Sequence, residues 1–157
     1  MTESHHLRPA VSVATVVERD GRFLLVEEKT RAGLRFNQPA GHLETGETPV
    51  QGAVRETLEE SAWRVDVTSL IGVYLWQPRD SRRAYLRFAF AAIAREHDAA
   101  RTLDAGIVRA LWMAPDEIRA QVARHRSPMV MRCIDDHLAG RRLPLDWIAN
   151  IEESGNR

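Results

Sequence analysis

Residues 41–63 read GHLETGETPVQGAVRETLEESAW, and the placement of charge in this stretch constrains the fold more than any other feature. Glu56, Glu59 and Glu60 stand at i, i+3 and i+4. On a helix they share one face, within an arc of about 100°. The start signals are strong: Thr48 is a suitable N-cap, Pro49 suits the first helical position, and Gln51 completes a capping box with Thr48. Val50, Val54, Thr57 and Leu58 fall on the opposite face and are expected to pack on a core. Gly52 and Ala53 lie one turn before the glutamates on the carboxylate face, where their small size leaves room for something to approach.

Such an acidic face carries a cost. Like charges at i, i+4 destabilise a helix by about 0.2–0.5 kcal/mol per pair. Glu59 and Glu60 also fall in the last turn, where the helix dipole disfavours anions by roughly 0.3–1 kcal/mol. Two explanations compete. A solvated acidic face is the usual one for an arbitrary run of this kind. The other is a site for a hard divalent cation, Mg²⁺ or Mn²⁺, which would offset the repulsion through two or three carboxylates.

The spacing favours the cation. Gly41, five residues, Glu47, seven residues, Arg55-Glu56, two residues, then Glu59-Glu60 resembles the Nudix box, Gx5Ex7REUxEExGU. These specified residues coincide by chance on the order of once in ten million starting positions, at about 6–7% per residue type. Three lesser positions depart from the pattern. Thr57 stands where the family prefers a bulky aliphatic residue, Ala62 replaces the late glycine, and Trp63 replaces an aliphatic anchor. A glycine after a helix supplies a left-handed cap, so Ala62 must adopt that conformation at about 1–2 kcal/mol or turn differently.

Composition narrows the partners. With 22 acidic and 22 basic side chains the formal net charge is zero, which argues against a general electrostatic grip on nucleic acid or membrane. A 44% hydrophobic chain of 157 residues suits one domain over residues 1–157 with one sizeable core, about 9–148. The single cysteine, Cys133, excludes an internal disulfide and fits a reducing compartment. No apolar run approaches 18 residues, so the cytosol is the expected location. The expected assembly is a monomer or a homodimer.

Residues 1–9 are expected to be a frayed lead-in, with His5 and His6 too near the terminus to form a built metal site. Val11–Glu18 and Arg22–Glu27 read as strands joined by a hairpin turn at Arg19-Asp20-Gly21. The polar stretch 28–35 reads as an exposed loop in which Arg31 and Arg35 are candidate phosphate contacts. Residues 64–77 read as one strand or a bent pair, and 83–93 as the returning strand after a turn at Pro78–Ser81. In the second of these, Leu86, Phe88 and Phe90 form the apolar set and the expected core face. Tyr85 and Arg87 then lie on the other face beside Tyr74 and Trp76. Arg87 is the best candidate phosphate contact outside the box, and Trp76 a candidate stacking surface for a substrate ring. A polar loop at 96–101, a turn at 103–106, a strand at 107–113, a helix from Pro115 to about Arg124 and a helix from Ser127-Pro128 to Ala139 complete the chain. Glu44, between Gly41 and Glu47, reads equally well as a solvated loop acid or a substrate contact, and Asp104 as a turn-former or an additional carboxylate of the site.

The chain is thus identified as resembling the Nudix hydrolases over roughly residues 9–148. The entry FNQPAGHLE at 36–44, Leu86-Arg87-Phe88, Arg126-Ser127-Pro128 and Gly140…Pro144-Leu145 are most similar to the NudJ branch. The resemblance implies an α/β fold with a mixed sheet between helices, an α/β/α sandwich. It implies a Mg²⁺-dependent pyrophosphohydrolase or phosphatase of nucleoside tri- and diphosphates, and of hydroxymethylpyrimidine pyrophosphate, in which a metal-activated water attacks phosphorus. Glu56, Glu59 and Glu60 with the Gly41 carbonyl would hold the metal, with Mn²⁺ as an alternative. Glu47 and Arg55 would orient the cluster. The base would be a glutamate of the cluster or Asp104, and Arg87 and Arg35 would hold phosphate. Two alternatives stand beside this: a Nudix hydrolase of ADP-ribose or dinucleoside polyphosphates, and a non-enzymatic Nudix module that senses a nucleotide.

Overall fold

The β-branched stretch near the N-terminus forms β1 (Ala10–Arg19), which reverses into β2 (Arg22–Thr30). Asp20 and Gly21 take φ of 52° and 74°, the left-handed pair that a two-residue hairpin turn requires. The computed structural model describes residues 6–152, so His5 lies outside the described residues.

The expected loop at 28–35 is instead a hairpin. β2 runs on to Thr30, turns at Arg31-Ala32, and returns as β3 (Gly33–Asn37), with Glu28 opposite Arg35. Charge misled the sequence expectation, because the acids of this strand are compensated or put to use. Glu27, 5% exposed, accepts from Arg109 Nε at 2.8 Å and from Arg124. Glu28, on the opposite face, lines a cleft.

β4 (Ala40–His42) pairs antiparallel with β1, and α1 (Pro49–Ser61) follows. Its capping box is made as expected: Thr48 Oγ1 accepts from the Gln51 amide at 3.2 Å, and Gln51 Oε1 from the Thr48 amide at 2.8 Å. At the other end Ala62 adopts the left-handed conformation, φ 62°, and its amide donates to Leu58 O. β5 (Trp63–Trp76) is one 14-residue strand bent by three register shifts against β6 (Tyr85–His97). The expected loop at 96–101 therefore begins only after His97. β7 (Ile107–Met113) falls at its expected bounds. The next helix is shorter than expected: α2 (Pro115–Ala120) gives way to a separate 3-10 turn, Val122–Arg124. α3 (Met129–Leu138) then leads to Gly140 at φ 81°.

The sheet order is β3-β2-β1-β6-β5, with β4 also on β1 and β7 also on β2. Only β1 and β6 are parallel, so the sheet is mixed. β1 and β2 pair only at their turn end, Glu18–Arg19 with Arg22–Phe23, and splay apart beyond it. β1 then belongs with β4 and β6, and β2 with β3 and β7.

Both faces of β6 are covered, because β6 lies between β1 and β5. Phe90, with Val13, Leu70 and Ala53 of α1, forms a core on one face, while Val17, Ala92 and Val54 extend it. The other face was expected to be the open one. It holds a larger core in which Ala89 and Ala91 meet Cys133 and Ile134 of α3 and Ile118 of α2. Small alanines let α3 approach closely, which an inspection for bulky residues overlooks. The result is an α/β/α sandwich.

The burial of α1 also differs from expectation. Its buried residues include Ala53, Glu56, Thr57, Glu60 and Ser61, while Val50 and Val54 pack at the margin and Leu58 is only partly buried. The acidic edge of the helix is turned into the protein, not into solvent.

Candidate active site

Backbone geometry packs Glu56 against Gly41. A Cβ added to Gly41 would stand 2.1 Å from the Glu56 carboxyl carbon, so only glycine allows this approach. Gly52 plays the same part for Glu47, whose Oε1 would stand 2.7 Å from an added Cβ. Glu47 in turn clamps Arg55 with two bonds, to Nε at 2.9 Å and to Nη2 at 2.7 Å, and its Oε1 also accepts from the Glu44 amide. The guanidinium holds the Glu47 carboxyl below the usual carboxylate range. Arg55 then reaches Glu56 Oε1 at 2.8 Å, Glu59 Oε2 at 3.1 Å and the His42 carbonyl at 3.1 Å. One arginine so fixes three of the glutamates of the stretch.

Glu56, Glu59 and Asp104 present carboxylate oxygens within 4.8 Å of one another. Asp104 is brought there by its backbone: its amide donates to the Glu59 carbonyl at 3.0 Å, tying the turn before β7 to the end of α1. Among the described residues this is the one acidic group with spacing suited to a cation, and its hard oxygen donors fit Mg²⁺ or Mn²⁺. Glu60 stands outside the triplet and accepts from the Ala40 amide at 3.0 Å. Burial pushes Glu60 up to about 8 and is reinforced by the charges of Glu56, Glu28 and Asp104. Burial likewise raises Glu56.

Gly41 and His42 also border a cleft of about 320 Å³. Trp76 and Tyr85, opposite each other on β5 and β6, stack at its side with ring centroids 5.5 Å apart. Arg87 is in its floor, but it is not the exposed side chain the strand pattern suggested. It is 4% exposed, and it donates to Gln38 Oε1 at 3.1 Å and to Asn37 Oδ1 at 3.3 Å. Its Nε has no partner, and among the described residues no carboxylate lies within ion-pair distance. Desolvation lowers its pKa from the usual arginine value. Glu28 and Glu60 act on it only from beyond ion-pair distance, and a buried guanidinium with no carboxylate in contact is expensive unless an anion is its partner.

Of the other sequence candidates, Glu44 is exposed at the rim, 3.8 Å from Arg55. Arg35 bonds to the Leu34 carbonyl and does not line the cleft. Arg126, Ser12 and Glu28 line it without having been singled out from sequence. Glu28 could have been found: in an extended Glu27-Glu28 pair the two side chains must face opposite ways, so one of them faces the interior of the site.

Comparison with known proteins agrees with this arrangement. The NUDIX domain model matches residues 6–133. Phosphatase NudJ of Escherichia coli (strain K12) is 36% identical over 144 residues, spanning 92% of this chain and 93% of that protein. A solved NUDIX hydrolase from Nitrosomonas europaea is 47% identical, covers 94% of this chain and 100% of its own, and superposes with a TM-score of 0.90. A solved UDP-X diphosphatase, 18% identical with a TM-score of 0.69 over 89% of this chain and 68% of its own, shares the fold. The chain belongs to the Nudix family, as a hydrolase of phosphate anhydrides. Within that family it is a homologue of the NudJ phosphatases.

Proposed function

We propose that the protein is a Mg²⁺-dependent pyrophosphohydrolase and phosphatase of nucleoside tri- and diphosphates, with hydroxymethylpyrimidine pyrophosphate in the same substrate class. The observation that carries this is a carboxylate triplet whose Glu56 packs against Gly41, at the border of a cleft that holds a buried arginine with no carboxylate in contact. Cation and guanidinium together neutralise a diphosphate, which neither does alone.

In this reading Glu56, Glu59 and Asp104 hold the ion, and Glu60 stands beside them through Ala40. A divalent ion bound there supplies charge neutralisation of phosphate oxygens and a water acidified towards neutrality. Arg87 grips a phosphate through its free Nε. Arg55, anchored by Glu47, keeps Glu56 and Glu59 from splaying apart. The base is a carboxylate not consumed as a ligand. Glu60, outside the triplet and accepting from the Ala40 amide, fits that role.

Glu59→Gln and Glu60→Gln test the assignment. Each should lower kcat by on the order of a hundredfold or more at ordinary Mg²⁺, with the folded structure kept. A Glu60→Gln protein with near-normal turnover would remove Glu60 from the machinery.

A further inference from the structure

Five buried polar side-chain atoms have no hydrogen-bond partner among the described residues, and three of them belong to the same cleft: Arg87 Nε, Ser12 Oγ and Glu28 Oε1. Orphaned atoms of this kind are scarce in folded proteins and costly, so three around one cavity mark a surface completed by a ligand. Arg87 suits phosphate. Glu28 does not: a carboxylate with a free oxygen repels an anion, so it belongs to the end of the cleft that receives the other part of the substrate. Arg126 Nε stands 3.4 Å from the same Glu28 oxygen, an ion pair without hydrogen-bond geometry, which leaves the acceptor open.

We propose that Glu28, with Ser12 on the same cleft and the Trp76–Tyr85 stack as a wall, selects substrates whose ring carries an exocyclic amine. The stack offers a flat apolar surface to a planar heterocycle. Glu28, acceptor-only when ionised, then takes an N–H from the amine. Uracil, with a carbonyl in place of cytosine's amine, serves it badly, because its ring N–H is flanked by two oxygens that repel the carboxylate; hypoxanthine, whose ring N–H has one oxygen neighbour, is disfavoured less. The Ser12 hydroxyl, which both donates and accepts, takes a neighbouring ring atom. Glu28 is therefore a specificity residue for the reaction proposed above and rests on that reading for its biological sense, though ring recognition itself needs no turnover.

Cytosine and uracil nucleotides are the simplest probe, since they differ in amine against carbonyl at one ring position; adenine and hypoxanthine nucleotides repeat the comparison on a larger ring. Calorimetric affinities should favour CMP over UMP by about tenfold or more in the wild type, with AMP favoured over IMP by a smaller ratio. Glu28→Gln, which keeps shape but removes the charge and half the acceptor capacity, should collapse that ratio towards one, by weakening the amine-bearing nucleotide and relieving the repulsion of its carbonyl counterpart, while leaving the thermal midpoint unchanged. The same ratios should appear in kcat/KM for the corresponding diphosphates. Equal affinities within each wild-type pair, or a ratio that survives Glu28→Gln, overturns the proposal, as does a uniform loss across all four nucleotides, which is the signature of a structural partner of Arg126. If the affinity ratio holds while no diphosphate is hydrolysed, the proposed activity falls and Glu28's role stands.

Discussion

Glu60 combines burial with a carboxylate in a way that makes pH a probe of the site. In the metal-free protein its pKa is pushed up to about 8, against an ordinary value of 4.5. Between those values the folded state holds a proton that the unfolded state has released. The stabilising contribution is therefore fully present below about pH 4.5 and is lost as pH rises through 8. His137, which burial lowers, acts in the opposite sense by losing stability as pH falls below its ordinary value of 6.5. The difference between wild type and Glu60→Gln isolates the carboxylate. Denaturant midpoints measured in chelator from pH 5 to 9 should fall with pH more steeply for the wild type than for Glu60→Gln. Parallel curves would mean Glu60 is ionised throughout. At this scale the sequence told much about the box and little about the rest of the cleft. Glu47, Arg55, Glu56 and Glu59 stand on one short stretch, and their mutual reach follows from helical spacing and a single loop. Ser12, Asn37, Glu28 and Arg126 come from three strands and the segment before α3, and only the pairing of strands far apart in the chain brings them to one cavity.

Among the elements, α1 was the most legible, since its capping box and its proline are local signals that no tertiary contact has to supply. What sequence could not tell was how the helix sits. Thr57, where an aliphatic residue was expected, is fully buried, donates to Ala53 O at 2.7 Å, and accepts from Thr15 Oγ1 of β1 at 2.7 Å. A buried hydroxyl pair thus replaces a packing contact between helix and sheet. Thr57→Val should leave the Thr15 hydroxyl without its partner and cost about 1–3 kcal/mol, whereas Thr15→Val together with Thr57→Val should recover most of that loss. A double-mutant cycle by chemical denaturation reads the coupling, and strictly additive losses would show that the two hydroxyls do not depend on each other. The strands were harder. β2 and β3 carry charges that read as loop, because a sequence does not show that Arg109 and Arg124 will meet Glu27 across the sheet. β6 was assigned one buried face from its bulky residues, yet a central strand has two, and the alanines that seat α3 carry no signal beyond their small size.

For the molecule as a whole, the splaying of β1 from β2 beyond their turn decides where the chemistry can happen. The chain leaves β3, which pairs with β2, and crosses at Gln38-Pro39 to β4, which pairs with β1. That crossing puts Gly41 of β4 and Asn37 of β3 on the same cleft, with Arg87 of β6 in its floor. α1 enters immediately after β4 and brings its carboxylates to Gly41, while the turn before β7 delivers Asp104. Four separate stretches so converge on one site, and neutrality of the whole chain leaves a locally polarised cleft in place of a charged surface. The most direct measurement is the release of phosphate and pyrophosphate from nucleoside di- and triphosphates, followed first in chelator and then with Mg²⁺ restored. Hydrolysis that is absent in chelator, returns with Mg²⁺ and is lost again in Glu59→Gln is the result expected of a carboxylate-held cation working with Arg87. Release that continues undiminished in chelator, or tight nucleotide binding with no hydrolysis under either condition, would contradict it.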